Sequence, residues 1–265
     1  MNYKTVLITG GSSGIGYEMS RLFAPQVEQL LWVSHLENEM EEAQKRLKVE
    51  FPQLTIHTLL KDLTQIKAPQ EVYNWVKENH WTIDVLVNNA GIGFYGDFME
   101  IDMEKEIRVI QLNVMALYAL TRLFLKDMLE RNSGKILNMS SSASFQPLPK
   151  FTTYAATKAF VRSFSAALDE ELKNKKSRVR VITICPAAVN NTPFQGLANA
   201  QRVRTFSSIG TTTAEEVAKD ALKALKLGKR VMLTGAKYRL MMNLKTFMPP
   251  FLSNWIVKRE LERVK

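Results

Sequence analysis

Short apolar runs recur along the chain, and the segments between several of them place apolar residues at a helical period. The runs have the length and composition of buried parallel strands and lie at 5–9, 30–34, 54–60, 83–87, 135–139, 179–185 and 230–233. The clearest helical patterns lie at 37–50, 107–129, 153–172 and 214–227. Strands that alternate with helices form right-handed crossovers and a parallel sheet covered on both faces. The pattern therefore predicts a doubly wound α/β fold with seven strands.

The chain reads as one domain with a short extension. Of its 265 residues, 46% are hydrophobic and 23% are charged, which is typical of a globular protein. No internal repeat or low-complexity linker divides it. We therefore predict one domain over 1–235 and a helical extension over 236–265, packed on that domain or on a partner subunit.

The first predicted strand ends in a glycine-rich turn, Gly10-Gly11-Ser12-Ser13-Gly14-Ile15-Gly16, and a helical pattern follows until Pro25. A strand, such a turn and a helix N-terminus together bring backbone N–H groups against a pyrophosphate. A glycine cluster alone is a weak signal, but its position between a strand and a helix strengthens it. The sequence therefore predicts a single Rossmann-type domain with a dinucleotide site at this turn.

The end of the second strand bears on which dinucleotide binds. Dinucleotide folds often place an acid there to hold a ribose 2′-hydroxyl, but here Ser34 and His35 occupy the junction and Glu37 comes later. Because no carboxylate repels a 2′-phosphate, we favour NADP(H), with Ser34 and His35 beside the phosphate. His35 could equally be a solvated loop residue. Asp62, just past the third strand, could accept from an adenine amino group or cap the next segment.

A tyrosine and a lysine lie one helical turn apart at the start of the pattern over 153–172. On a helix, Tyr154 and Lys158 share one face. Because a nearby cation favours the phenolate, we predict that the pKa of Tyr154 lies below its usual value of about 10. Such a tyrosine can exchange a proton with an alcohol or carbonyl oxygen near neutral pH. Taken alone, the same spacing also arises by chance on helix surfaces.

Five signatures, in this order, resemble those of the short-chain dehydrogenase/reductase family. They are Thr9-Gly10-x-x-x-Gly14-Ile15-Gly16, Asn88-Asn89-Ala90-Gly91, the isolated Asn113, the serine run that begins at Ser140, and Tyr154-x-x-x-Lys158. The resemblance covers about residues 4–233 and implies an NAD(P)-dependent oxidoreductase. It also implies a homodimer or homotetramer that pairs subunits through the helices at 107–129 and 153–172.

The resemblance further implies a catalytic tetrad of Asn113, Ser141, Tyr154 and Lys158. Tyr154 would act as general acid and base, and Ser141 would hydrogen-bond to the reacting oxygen. Lys158 would lower the tyrosine pKa and hold the nicotinamide ribose, and Asn113 would anchor a water that relays protons to it. The implied cofactor contacts are Gly10, Ser12, Ser13, Gly14, Ile15, Gly16, Ser34, His35, Asp62, Leu63, Asn89, Ala90, Gly91, Tyr154, Lys158, Pro186, Val189 and Thr192.

The chain departs from the family pattern in two places. NADP-binding members usually carry arginine where His35 stands, and Ala187 replaces a usual glycine after the sixth strand. The threonine expected beyond that strand comes one place late, so either Asn191 or Thr192 could meet the nicotinamide carboxamide.

Aromatic and aliphatic residues dominate the segments expected to rim the substrate pocket. They are Phe94, Tyr95, Phe145, Leu148, Phe151, Phe194 and Leu197. Together with Ser141, they favour a hydrophobic carbonyl or secondary alcohol, lipid-like or cyclic. These side chains could instead pack against each other or against a partner subunit.

Composition argues against several other classes of protein. The single cysteine, Cys185, lies in an apolar run, so we expect no internal disulfide and a reducing compartment. Three scattered histidines predict no metal site. We find neither a signal-peptide pattern nor an apolar run of about 18 residues, and expect a cytoplasmic protein without a spanning helix. The net charge of +10 forms no basic stripe interleaved with aromatics, so we expect no nucleic-acid partner.

The segment 237–265 joins apolar bulk to an excess of lysine and arginine. Such a segment can lie at an anionic membrane surface. It can also form helices that close the pocket or pack on a second subunit, which is the interpretation we favour.

One alternative function is a catalytically silent dinucleotide sensor or scaffold of the same fold. The intact set of Ser141, Tyr154 and Lys158 argues against it, because a binding module has no need of a proton donor.

Overall fold

The computed structural model describes residues 3–190, 192–208, 210–245 and 256–263. Its strands are β1 (Thr5–Thr9), β2 (Gln29–Ser34), β3 (Thr55–Leu60), β4 (Val85–Asn88), β5 (Lys135–Met139), β6 (Arg180–Cys185) and β7 (Val231–Leu233). Its helices are α1 (Gly14–Phe23), α2 (Glu37–Glu50), α3 (Ala68–Glu78), α4 (Met103–Ile110), α5 (Leu117–Glu130), α6 (Thr152–Asn174), α7 (Pro193–Leu197), α8 (Ala214–Leu227) and α9 (Ala236–Lys245).

The strands form one parallel sheet in the order β3-β2-β1-β4-β5-β6-β7. The chain runs outward from β1 to β3 and then returns to the other side of β1 to form β4. In doubly wound sheets, a ligand crevice opens at the carboxyl ends of the strands where the direction reverses. The predicted fold is confirmed, and it places the glycine-rich turn at this crevice.

Both faces of the sheet are covered, which explains why the strands read as nearly unbroken apolar runs. On β1, Val6 and Ile8 pack into the layer that contains α1, α2 and α8. Leu7 points the other way, into the layer with α3, α5 and α6. All three side chains are fully buried. Alternate residues therefore fill two cores, and β1 is held rigidly between them.

Three segments differ from the sequence prediction. Helix α3 lies between β3 and β4, and α7 lies between β6 and α8; we singled out no helix at either place. The helix predicted over 107–129 extends from Met103 to Glu130 and contains a π-helical turn, Gln111–Ala116. Single π turns of this kind are frequent at functional sites, and this one contains Asn113.

The run Met103–Glu130 has the length and apolar composition of a membrane-crossing helix, with a mean hydropathy of 1.3 over its most apolar window. We expected no such helix because charged residues interrupt the apolar run. Its inward face carries Leu120, Phe124 and Met128, which pack on the sheet. One face of the run therefore belongs to the core, and 39% of its most apolar window is buried.

The described parts of the C-terminal extension pack against the domain. The Tyr95 hydroxyl donates to the Leu261 carbonyl at 2.6 Å, and the Arg204 N–H donates to the Glu262 carbonyl at 3.0 Å. Much of the segment on which the membrane hypothesis depends, 246–255, lies outside the described residues.

Candidate active site

A cavity of about 1150 Å³ lies at the carboxyl edge of the sheet. Gly10 and Ser34 line one end, Tyr154 lies along its length, and Phe206 and Val257 line the other end. Of the predicted cofactor contacts, all except Gly16 line this cavity. The structure therefore brings the predicted residues together around one continuous space.

The glycine-rich turn owes its shape to residues without a side chain. Gly10 and Gly14 have positive φ angles of 65° and 50°, which favour glycine. A Cβ atom on Gly16 would lie 1.9 Å from the Gly10 carbonyl oxygen. Gly16 therefore lies behind the cavity, where it lets α1 pack against the turn. This packing directs the N-terminus of α1, with its unpaired N–H groups, at the cavity.

Hydrogen bonds fasten this turn to the loop that follows β4. The Thr9 hydroxyl accepts from the backbone N–H groups of Asn89 and Ala90, each at 3.0 Å. The Asn89 amide donates to the carbonyls of Thr9 and Gly10 at 3.0 and 3.1 Å. The two loops on either side of the crevice therefore form one rigid wall.

Three of the four predicted catalytic residues line the cavity: Ser141, Tyr154 and Lys158. The Lys158 ammonium is buried, donates to the Met139 carbonyl at 3.0 Å, and lies 5.7 Å from the centre of the Tyr154 ring. The Ser141 hydroxyl accepts from the Ala143 N–H at 3.1 Å and hydrogen-bonds to Tyr154. A phenol, a hydroxyl and an ammonium thus converge.

The predicted depression of the tyrosine pKa is wrong for this structure. Burial raises the pKa of Tyr154 to about 12, and a hydrogen bond from Ser141 offsets only part of that rise. Burial also lowers the pKa of Lys158 to about 8. Desolvation is the largest effect on the phenol, and the ammonium bonds to a backbone carbonyl rather than to the phenol. Tyr154 is therefore protonated at physiological pH, which is the form able to donate a proton.

Asn113 lies just behind the cavity and does not line it. Its side-chain oxygen accepts from the Ile92 N–H at 3.0 Å, and its amide donates to the Ile92 carbonyl at 2.8 Å and the Thr157 hydroxyl at 3.1 Å. A Cβ atom on Gly91 would lie 3.1 Å from the Lys158 ammonium and 3.2 Å from the Asn113 oxygen. Asn113 therefore positions the 91–92 loop beside Lys158.

The adenosine end of the cavity contains a carboxylate that we did not predict. Glu39, in the first turn of α2, accepts from the Ser12 hydroxyl at 2.7 Å, and the Ser12 hydroxyl lies 3.3 Å from the Ser34 hydroxyl. Asp62 accepts from the N–H and hydroxyl of Thr64 at 2.9 and 2.8 Å, so it does cap the following segment, although it also lines the cavity.

Aromatic side chains line the far end of the cavity. Tyr154 lies between Phe151 and Phe194, with ring centres 5.7 and 5.3 Å away. Leu148 and Leu197, also predicted, line the same space. The far end can therefore enclose a large apolar group next to the phenol.

Three predicted rim residues, Phe94, Tyr95 and Phe145, do not line the cavity and need correction. Cations lie over the rings of Phe94 and Phe145 instead: the Lys105 ammonium lies 5.8 Å from the Phe94 ring centre, and the Arg162 guanidinium lies 4.4 Å from that of Phe145. Tyr95 packs beneath Phe151 in a buried cluster.

Several lining residues come from distant parts of the chain and were missed. Besides Glu39, they include Tyr238 on α9, whose phenol hydrogen-bonds to the Ser142 side chain, and Arg204. The sequence indicated a serine run and an apolar tail, but no spacing rule predicts that Ser142 and Tyr238 contact each other. Thr192 lines the cavity, whereas Asn191 lies outside the described residues.

The residues present fit a nicotinamide dinucleotide. The positive-φ glycines leave room for phosphates at the start of α1, where Ser12, Ser13 and Ile15 would hold them. Lys158 and the loop at 89–91 would hold the nicotinamide ribose. When bound, the nicotinamide supplies or accepts a hydride. Among the described residues, no group of three or more His, Cys, Asp or Glu side chains is placed to hold a metal ion.

Fold and site together define a nicotinamide-dependent oxidoreductase that acts on alcohol or ketone groups. The sequence model described as short chain dehydrogenase matches residues 4–203. The chain belongs to this family, the short-chain dehydrogenases/reductases, as its motifs predicted.

Comparisons with individual proteins agree with this family assignment. The chain is 31% identical over 230 residues to the very-long-chain 3-oxoacyl-CoA reductase of Rattus norvegicus, which covers 84% of this chain and 69% of the rat protein. A short-chain dehydrogenase from Sphingobium yanoikuyae in complex with NADPH superposes with a TM-score of 0.78 at 28% identity, covering 92% of this chain and 94% of that one. For the bulky-bulky ketone specific alcohol dehydrogenase of Comamonas testosteroni, the TM-score is 0.75 at 29% identity, with 93% of each chain covered.

Proposed function

We propose that this protein transfers a hydride between NADP(H) and a bulky hydrophobic ketone or secondary alcohol. The observation that carries the proposal is the position of Tyr154. Its protonated phenol lies in a cavity that joins the glycine-rich turn to an aromatic chamber. A proton donor at this junction is what ketone reduction requires.

In the reductive direction, Tyr154 donates its proton to the oxygen of the substrate carbonyl. Ser141 donates a hydrogen bond to the same oxygen and stabilises the charge that develops there. Lys158, while charged, favours the phenolate left behind. Asn113 holds the loop at 91–92 in place through its bonds to Ile92. Oxidation of an alcohol reverses these proton transfers.

The lining of the far end supports a large, apolar substrate. Phe151, Phe194 and Leu148 present hydrocarbon surface beside Tyr154. The names of two similar proteins point the same way, since one is a very-long-chain 3-oxoacyl-CoA reductase and the other is specific for bulky ketones.

The test is NADPH oxidation with a panel of carbonyl compounds, graded from small and polar to long-chain and aromatic. We expect kcat/KM to rise with apolar size and to be lowest for small charged ketones. A preference for a small polar carbonyl would contradict the substrate class. Cofactor binding without turnover of any carbonyl would favour the silent sensor instead.

We further propose that NADP(H) is preferred to NAD(H). His35 and Lys61 line the adenosine end of the cavity, and no carboxylate lies at the end of β2. The Sphingobium yanoikuyae enzyme is in complex with NADPH. Glu39 opposes the preference, because its carboxylate lies within 2.7 Å of Ser12 in the same region. Asp62 lines the same end with a second carboxylate, but Arg108 pairs with it at 3.4 Å.

Parallel titrations with NADPH and NADH test this balance. We expect tighter binding of NADPH, and we expect Glu39→Gln to strengthen NADPH binding by about tenfold, because one like charge near the 2′-phosphate is removed. NADH affinity should change little. Glu37→Gln is the matched control, since Glu37 is exposed and does not line the cavity. Equal responses of the two variants would contradict the role of Glu39.

We also propose that the protein is a homodimer or homotetramer. The outward faces of α4, α5 and α6 expose large apolar side chains, among them Ile107, Met115, Tyr118 and Phe160. Tyr118 and Phe160 both contact the Phe164 ring, at 5.6 and 5.7 Å between centres. Contiguous exposed apolar patches of this kind mark interaction sites.

Light scattering tests the oligomer. The unaltered protein should have a multiple of the monomer mass, and Phe160→Lys should shift it toward the monomer because a charge is buried at the centre of the patch. Phe98→Lys, on an exposed turn outside these helices, should leave the mass unchanged. A monomeric unaltered protein would contradict the proposal.

A further inference from the structure

The far end of the cavity is lined by residues from two distant segments. One is the 3₁₀ turn Arg204–Phe206, and the other is the C-terminal stretch around Val257 and Leu261. Their backbones are joined, since the Arg204 N–H donates to the Glu262 carbonyl at 3.0 Å. Arg204 itself lines the cavity at this end.

The Arg204 guanidinium is only partly satisfied, as is that of Arg162, whose Nε atom is also buried without an acceptor among the described residues. The Nε atom of Arg204 is shielded from solvent and has no hydrogen-bond acceptor among the described residues. Arg180 and Arg239, by contrast, pair with buried or half-buried aspartates at 2.7 and 2.8 Å. Within the part of the chain that the structure describes, no carboxylate lies within 4.0 Å of Arg204. A buried donor without an acceptor carries a free-energy cost that a ligand can relieve.

An apolar wall leads from the proposed proton donor to this cation. The ring of Tyr154 lies 5.3 Å from that of Phe194, and Phe194 lies 6.4 Å from Phe206, the last residue of the Arg204 turn. Leu148 and Val257 pack against the same cluster. A molecule with its carbonyl at Tyr154 would therefore pass along hydrocarbon before it reached the guanidinium.

We propose that Arg204 binds an oxyanion at the far end of the substrate, and that the substrate is an anionic amphiphile. This inference rests on the proposed function. The ligand carries its ketone or hydroxyl at one position and a carboxylate or phosphate at a distance, with an apolar segment between them. A guanidinium suits this role, because its planar donors match two oxygens of such a group. The apolar surroundings strengthen the interaction relative to water.

One nearby carboxylate opposes anion binding, so its removal is predicted to have the opposite effect to removal of Arg204. Glu260 lines the same end of the cavity but forms no ion pair with Arg204 within the described residues. If an oxyanion binds there, the Glu260 carboxylate repels it, and removing that charge should strengthen binding.

The first experiment measures binding of decanoate and of decanol to the full-length chain by calorimetry, below their aggregation limits. We expect decanoate to bind more tightly, and Arg204→Met to weaken it by about 10- to 100-fold while decanol changes by less than about twofold. Glu260→Gln should strengthen decanoate binding severalfold. Arg202→Met is the matched control, since Arg202 is exposed, lies outside the cavity lining and should leave both affinities unchanged.

Equal loss of decanoate and decanol affinity in Arg204→Met, or no loss of either, would overturn the proposal. If Arg204→Met fails to fold, Arg204→Lys keeps the charge and should retain preference for decanoate over decanol. The second experiment compares a methyl ketone that carries a terminal carboxylate with the same ketone without it. Arg204→Met should raise KM for the first ketone alone and leave kcat unchanged. Because decanoate binding needs no turnover, failure of the anion site and failure of the enzymatic proposal give different results.

Discussion

Replacing Tyr154 by phenylalanine is expected to lower kcat/KM for ketone reduction by about 10²- to 10⁴-fold, the usual contribution of a general acid. The change removes one hydroxyl and leaves the ring contacts with Phe151 and Phe194. The affinity for NADPH and the thermal stability should therefore stay close to those of the unaltered protein. Steady-state kinetics and a fluorescence titration of NADPH measure the two quantities separately.

The matched control is Tyr73→Phe, which removes a phenol that donates to Asp127 at 2.9 Å on the surface of α3 and α5. It should retain full turnover. If Tyr154→Phe reduces ketones as fast as the unaltered protein, the proton donor is a different group and the assignment fails.

Replacing Gly16 by alanine is expected to abolish tight cofactor binding and to destabilise the fold. The new Cβ atom would lie 1.9 Å from the Gly10 carbonyl oxygen and 2.7 Å from the Asn89 amide nitrogen. Both partners belong to the wall that faces the cavity, so the turn must shift. Overpacking of this kind costs about 1–3 kcal/mol of unfolding free energy, and NADPH affinity should fall by at least about tenfold.

Urea unfolding and NADPH titration measure these effects. Glu18→Ala, two positions further along α1, removes only a half-exposed pairing with Arg21 and should change stability by less than about 1 kcal/mol. Unchanged cofactor affinity in Gly16→Ala would show that the turn does not hold the dinucleotide.

Local patterns predicted much of this structure because local physics determines it. The run 5–9 matches β1 in full, since a strand buried on both faces is largely apolar. Tyr154 and Lys158 meet because helical spacing fixes their relation. The fold class followed from the order of such elements, together with the handedness of their connections.

The features that could not be predicted depend on how deeply a side chain is buried and on contacts between residues far apart in the chain. The pKa of Tyr154 was predicted in the wrong direction because spacing shows that a cation is near, but not how deeply the phenol is buried. Helical period alone also does not reveal the π turn Gln111–Ala116, which contains Asn113 and its hydrogen bonds to Ile92.

The far end of the cavity was the least predictable region. The Tyr95 hydroxyl meets the carbonyl of Leu261, 166 positions later in the chain. Arg204 and Tyr238 also make contacts with residues far away in the chain, Glu262 and Ser142, so no motif marks them. Phe94 and Phe145 were assigned to the rim because they are aromatic, yet their rings instead contact the cations of Lys105 and Arg162.

The most direct test of the central claim follows the hydride itself. NADPH deuterated at the nicotinamide carbon that donates hydride is incubated with the protein and a bulky hydrophobic ketone, and the product alcohol is analysed by mass spectrometry. We predict an alcohol that carries one deuterium on its former carbonyl carbon, formed by the unaltered protein and almost absent with Tyr154→Phe. Tight NADPH binding with no labelled alcohol from any ketone tested would contradict the account.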